Sequence, residues 1–223
     1  MGYDWDFRLF APYLHAFLRG LWVTIELSVI SSVVGTVLGF VLAPALRMRY
    51  LGPVLSVLND AVRAVPVLVL MLFFYYFPYV QVLGIEPPSA FAAAAAALTL
   101  AQINFTAEIV RGAIDGVSQK TILGARSLGL KEVTIWRYVM IPDVIRQVLP
   151  TLVAFYIGNI KLSSLASVIG GEDVVFVARL AVSQTFRSLE AWVIVAAIYI
   201  GLVLPLTIFA RRLERSEWLL RRS

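Results

Sequence analysis

Apolar runs long enough to cross a bilayer alternate along this chain with short charged segments. The first runs from Gly20 to Leu46 and is closed by Arg47 and Arg49. After an amphipathic stretch, Leu51 to Val62, an uninterrupted apolar run from Ala64 to Val80 reaches the length of a span, about 64–83, when flanking residues join it. Ser89 to Val110 is the third, and its six consecutive alanines make a thin helix that neighbours approach closely. Ile145 to Val168 is the fourth and Ala191 to Ala210 the fifth. The pattern predicts an all-α membrane protein with five transmembrane helices, folded as one domain over residues 1–223. Gly35 and Gly39, four apart on the first helix, mark a face for close packing. Pro150 and Gly158 predict a break or bend in the fourth span, and Pro205 a kink in the fifth.

One polar stretch between spans is itself periodic. Ser118 to Pro142 carries Lys120, Arg126, Lys131, Glu132 and Arg137, which exclude it from a bilayer core. Ile122, Leu123, Ala125 and Leu128 recur at helical spacing, and Gly129 interrupts. A second run places Val133, Trp136, Val139 and Met140 on one side, and Pro142 is expected to stop it. Two short amphipathic helices bent at a glycine form a knob, and its apolar face has to be buried against something.

Composition agrees with the membrane reading: the chain is 60% hydrophobic with a mean hydropathy of +0.85. The net charge of +5 does not indicate a nucleic-acid partner, because fourteen of the nineteen Lys and Arg lie in segments 47–63, 111–146 and 211–223. These loops share one side if five spans are present, so the positive-inside rule puts them and the C-terminus in the cytoplasm, with the N-terminus outside. No signal peptide is expected, since Asp4, Asp6 and Arg8 stand among aromatics where a basic-then-apolar order would be needed. With no cysteine and a single histidine, His15, neither a thiolate nor a histidine-based metal site is expected. The carboxylates are scattered, and no phosphate-binding loop motif occurs, which argues against enzymatic work by this chain alone.

The polar residues inside the spans remain. Asn104, Glu108 and Arg111 share one face of the third span. Glu108 either pairs with Arg111 and pins that helix, or contacts a solute. Tyr156, Asn159, Ser163 and Ser167 form a stripe on the fourth, which is either helix–helix hydrogen bonding or the lining of a pathway. Lys161, beside Ser164, lies off that stripe and has to face water, a carboxylate or the protein interior.

Specific segments carry a resemblance. Leu123-Gly124-Ala125, then Gly129, then Val139-Met140-Ile141-Pro142 resembles the "EAA" loop of ABC-importer permeases: Glu-Ala-Ala, three residues, Gly, nine residues, Ile-x-Leu-Pro. Leu123 replaces the usual Glu and Gly124 the first Ala. Gly20-Leu21-Trp22-Val23-Thr24, Arg63 to Val69, Ala107-Glu108-Ile109-Val110-Arg111-Gly112 and Ser164 to Gly170 are similar, in order, to motifs of the polar amino acid permeases of the histidine/glutamine type. Val65, Leu70 and Leu162 are apolar where that family commonly has polar residues.

The resemblance implies a type I ABC importer fold in the inner membrane of a prokaryote. The loop at 113–142 would be a cytoplasmic coupling helix that docks on a separate ATPase through Leu123, Gly124, Ala125, Arg126, Gly129 and Pro142. ATP and Mg would be bound by that ATPase, with no cofactor in this chain. A second permease subunit, identical or homologous, and an extracytoplasmic solute-binding protein would complete the assembly. Glu108, Tyr156, Asn159, Lys161, Ser163, Ser164 and Ser167 are the candidate pathway residues, and Lys161 matches a position where relatives often carry Lys. Amino acids are the implied solute. An osmolyte or opine-like solute is the alternative, and a channel or scaffold without an ATPase is a further one.

Overall fold

The computed structural model describes residues 3–220, with side chains described up to Arg212. Among them the regular structure is entirely helical. A 3-10 turn, Phe7–Tyr13, leads into α1, Leu14–Ala45. There follow α2 (Gly52–Ala64), α3 (Val67–Tyr76), the short α4 (Tyr79–Leu83) and α5 (Ala90–Gly116). Next come α6 (Gln119–Ser127), α7 (Glu132–Ile135), a π-helical turn (Trp136–Met140) and α8 (Ile141–Leu162). A 3-10 segment (Ser163–Ile169), α9 (Val174–Thr185) and α10 (Ser188–Leu220) complete the chain. Four continuous helical stretches are long and apolar enough to cross a membrane, and α2 with α3, bent by 95°, makes a fifth if taken as one unit.

Three expectations about breaks need correction. The second apolar run is not a continuous helix over 64–83. Pro66 forces Val65 into extended backbone (φ −85°, ψ 126°), which ends α2, and α3 is only ten residues before Phe77 and Pro78 interrupt it. Ten helical residues span about 15 Å, half a hydrocarbon core, so α3 depends on α2 to complete a crossing.

Pro142 is not a stop either. The Ile141 N–H donates to the Trp136 carbonyl, one residue further back than in an α-helix, and helix continues from Glu132 to Ile169. This wider turn carries the chain into the first turn of α8, where a missing proline N–H is tolerated.

Finally, α8 runs through both Pro150 and Gly158, and its change of geometry comes at Ser163. There three hydroxyls turn back on the helix: Ser163 Oγ donates to the Ile160 carbonyl (2.8 Å), Ser164 to Lys161 (2.6 Å) and Ser167 to Ser164 (2.9 Å). Such local bonds compete with the α-helical ladder, and the segment tightens to 3-10 before Gly170 (φ 85°) ends it.

Packing is tightest between α1 and α5. A Cβ on Gly35 would lie 2.4 Å from Gln102 Cβ, and one on Gly39 2.5 Å from Thr106 Cβ, so only glycine lets these backbones meet. Gln102, fully buried in this seam, donates to Thr106 Oγ1 (3.0 Å) and Thr36 Oγ1 (3.3 Å). Above it the alanine face of α5 (Ala93, Ala94, Ala97) receives Leu27 of α1 and Met71 of α3.

Candidate functional site

The polar stretch is built from the end of α5 outward. Val117 is extended, α6 follows, and it closes in a glycine cap. The Leu130 N–H donates to Ala125 O (3.3 Å) and the Gly129 N–H to Arg126 O (2.9 Å), with Gly129 at φ 73°. Nothing lies within 4 Å of a Cβ placed on Gly129, so the positive φ, and not space, calls for glycine. Across the corner Arg126 binds Glu132 with two guanidinium nitrogens, Nε to Oε1 at 2.7 Å and Nη2 to Oε2 at 3.2 Å. Glu132 also holds the Arg126 guanidinium above its ordinary pKa.

This corner divides the apolar residues differently from the periodicity. Ile122, Ala125, Ile135 and Met140 are buried in a core shared with Val110 and Ile114 of α5 and Val144 of α8. Leu123, Leu128 and Val133 point outward, 56%, 81% and 78% exposed. The inner side fastens the knob to the bundle, and the outer side is an apolar surface bordered by charged residues. Gly124 lies open beside it, and Pro142 sits in α8, away from this surface.

The basic end of the bundle also carries an ion network. Glu108 Oε1 accepts from Arg111 Nη2 at 2.6 Å, while Glu108 Oε2 lies 3.7 Å from Arg63 Nη1 of α2. Glu108 is therefore engaged by two guanidinium groups. Asn104, on the same face, donates to its own helix at Leu100 O (2.7 Å).

The polar stripe on α8 is directed mostly at α1. Asn159, almost fully buried, donates to Ser31 Oγ (2.7 Å) and Ser32 Oγ (3.1 Å), and Tyr156 Oη meets Thr36 Oγ1 at 2.8 Å. Ser163 and Ser167 are buried and bond back to their own backbone. Lys161 and Ser164 are different: they line a cavity of about 460 Å³ with Val175 of α9 and Tyr199, Val203 and Thr207 of α10. Among the described residues Lys161 has no ion-pair partner. Tyr156 borders a separate cavity of about 300 Å³ with Ser28, Ser32 and Leu206. Because α8 does not break at Gly158, Lys161 and the stripe stay on different faces.

Two residues of this region were absent from the sequence candidates. Tyr199 is one, since a lone tyrosine in an apolar span gives no signal of the cavity it lines. Asp173 is the other. It caps α9 by accepting from the Phe176 N–H (2.8 Å), its second carboxylate oxygen has no partner, and burial pushes its pKa up to about 7. An aspartate before the apolar run Val174-Val175-Phe176-Val177 is a readable helix start, but its burial against the Gly20 backbone of α1 depends on tertiary structure.

The family model described as "Binding-protein-dependent transport system inner membrane component" matches residues 35–218. The chain belongs to this family. It is 33% identical to PatM of Vibrio harveyi, named a probable amino-acid ABC transporter permease protein, over 93% of each chain. It is 34% identical to the octopine transport system permease protein OccM of Rhizobium radiobacter, over 92% of this chain and 86% of that one. Among solved structures, one titled an amino acid ABC transporter with histidines superposes with a TM-score of 0.87 at 31% identity, covering 96% of this chain and all of that one. The fold of this inner-membrane component is therefore the type I permease fold. The glycine-capped knob, the Glu108 network and the Lys161 cavity all lie within the matched region.

Proposed function

We propose that this permease carries amino acids inward across the inner membrane, driven by ATP hydrolysis in a separate subunit. The observation that carries this reading is likeness along nearly the whole chain to PatM and to a solved amino acid ABC transporter. The knob supports a partner: Leu123, Leu128 and Val133 are exposed at a charged end, and the Gly129 cap and the Arg126–Glu132 pair hold them in place. In this reading Leu123, Gly124 and Arg126 meet the ATPase, Ala125 and Gly129 shape the knob, and Pro142 joins it to α8. ATP and Mg belong to the ATPase, since this chain carries no phosphate-loop motif. The basic end is cytoplasmic, following the distribution of Lys and Arg, and the N-terminus lies outside. A second permease subunit pairs with this one, and a solute-binding protein delivers solute from outside.

Within the membrane, the Lys161 ammonium supplies an anion-accepting pole in a cavity whose other walls are largely apolar. An α-carboxylate, common to all amino acids, suits that pole, and the variable side chain would lie against Val175, Ile200 and Val203. ATP binding closes the ATPase pair and turns the pathway outward, and hydrolysis resets it inward. A second reading, octopine or a related solute, is favoured by the likeness to OccM.

The test is uptake by proteoliposomes containing the permease, its ATPase and the binding protein. Amino acid accumulation that requires ATP is expected, and solute flux without ATP would replace the importer with a channel. Calorimetry of the binding protein with amino acids and with octopine separates the two solutes. Gly129→Val should leave insertion intact but release ATP hydrolysis from transport, because the strained corner costs roughly 1–3 kcal/mol and relaxes by displacing the knob.

A further inference from the structure

Polar contacts join the segment from Arg47 to Arg63 to α5 at three heights. Arg47, just before α2, pairs with Asp115. Ser56 Oγ accepts from Arg111 Nη1 at 3.5 Å, and Arg63 Nη1 lies 3.7 Å from Glu108 Oε2. As the chain advances from Arg47 to Arg63, its partners step back along α5, so the two elements run antiparallel. Ser56 and Arg63 are two turns apart on one face of α2, and Glu108 and Arg111 are one turn apart on α5. Each helix supplies a guanidinium to the other: Arg63 reaches across to Glu108, and Arg111 reaches back to Ser56. Asp60 steadies Arg63 from its own helix at 3.6 Å. The Glu108 side chain is only 28% exposed and that of Arg111 32%, so this pair is partly shielded from solvent, while Arg63 at 43% reaches it from the more open side.

Its position matters more than its strength. Directly after Arg63 the chain turns through 95° at Val65 and Pro66 into α3. Beyond Arg111, α5 continues without interruption to Gly116 and passes through Val117 into α6 and the exposed knob. The cluster thus ties the bent element to α5, one of the two long helices between which the knob is held. We propose that Arg63, Glu108 and Arg111 are positioning residues that lock the α2–α3 bend to α5, so that displacement of the knob by its ATPase is passed to the bend. None of the three touches solute in this role. The proposal rests on the ATP-driven import described above.

The test is the number of solute molecules moved per ATP hydrolysed, measured in membranes holding the full transporter. Glu108→Gln and Arg63→Gln should each lower this ratio roughly 2- to 30-fold, the range found for residues on coupled networks. The double variant should be no worse than the more affected single one, because both remove the same link. Arg63→Lys, which keeps the charge, should retain most of the ratio. An unchanged ratio in both singles would overturn the proposal, as would independent, multiplying losses. A raised KM at unchanged ratio in Glu108→Gln would make Glu108 a solute contact instead. Loss of Glu108→Gln and Arg63→Gln from the membrane, shared by Arg63→Lys, would reduce the cluster to a folding role. Absence of ATP-driven uptake by the unaltered transporter would remove the underlying reading, a result visible before any variant is compared.

Discussion

Between α1 and α5 the backbones meet at Gly35 and Gly39 with no room for a methyl group, and the Gln102 amide nitrogen in the seam donates to Thr106 and Thr36. Between α8 and α10 a cavity of about 460 Å³ remains, a second of about 300 Å³ lies where Leu206 of α10 meets α1 and α8, and most of the described part of α10 is exposed. In a membrane, where lipid is as apolar as leucine, helices associate through close packing and hydrogen bonds. The first seam has both and forms the frame. The second has neither along much of its length, and space left beside a cation is where a solute is accommodated. α8 takes part in both, pinned to α1 through Asn159 and Tyr156 while Lys161 faces the open side.

The sharpest way to break this contrast is the same substitution in the first seam and on the open face of α10. Gly39→Leu places a Cβ 2.5 Å from Thr106 Cβ and 2.8 Å from the Ile103 carbonyl, so α1 and α5 have to separate. Overpacking of this kind costs about 1–3 kcal/mol or more, and the expected outcome is a large fall in Tm in detergent or loss of the protein from the membrane. Gly201→Leu on α10 meets nothing within 4 Å. It should leave Tm unchanged or raise it slightly, since glycine costs about 0.5–1 kcal/mol in a helix interior. A destabilised Gly201→Leu would show that a second subunit covers α10 there.

Asp173 stands at a junction of α1, α9 and α10, its backbone against Gly20 of α1 and Tyr199 of α10 nearby. Burial raises its folded pKa to about 7, above its value in the unfolded chain. The folded state therefore binds the proton more tightly, and the associated stability is full at acid pH and lost as pH rises through about 7. Thermal unfolding between pH 5 and pH 8 should show Tm falling with pH in the unaltered protein. The slope should flatten in Asp173→Asn, and an equal slope in both would remove Asp173 from the junction's electrostatics.

Much of the frame was legible because hydropathy and small residues report directly on membrane packing. Gly35 and Gly39 indicated a close seam, and Gly129 indicated a bend, since a corner between two helices often requires positive φ. The misreadings arose where local bonding overrode residue type. Pro142 was expected to end a helix, but the π turn before it carries the chain past the missing N–H. Pro150 and Gly158 were expected to break or bend α8, yet the helix is unbroken through both and the serine hydroxyls at Ser163, Ser164 and Ser167 altered its geometry further on. On the knob, periodicity found apolar positions but not which of them the bundle covers. Ile122 and Ala125 went inward while Leu123 and Leu128 stayed outside. The α8 stripe posed the same difficulty, because a row of polar residues has one appearance whether it meets serines of α1 or a cavity.

The smallest effects sharpen that last distinction on α8 itself. Asn159→Ala removes two short hydrogen bonds to Ser31 and Ser32 in a buried site, at roughly 0.5–1.5 kcal/mol net for each bond. Ser31 keeps a partner without the asparagine, since its Oγ already donates to Leu27 O at 2.6 Å. The loss should therefore appear as a modest fall in Tm with the KM for uptake nearly unchanged. Lys161→Met should do the reverse. The ammonium has no ion-pair partner among the described residues, so its removal breaks no pair and exposes no buried carboxylate. Methionine keeps the length of the side chain, and Tm should hold. If Lys161 receives the α-carboxylate, KM should rise about tenfold or more, since a hydrogen bond to a charged group contributes roughly 1.5–3 kcal/mol. A lowered Tm with unchanged uptake kinetics in Lys161→Met would place the lysine with Asn159 in the frame, leaving the cavity without its anion-accepting pole.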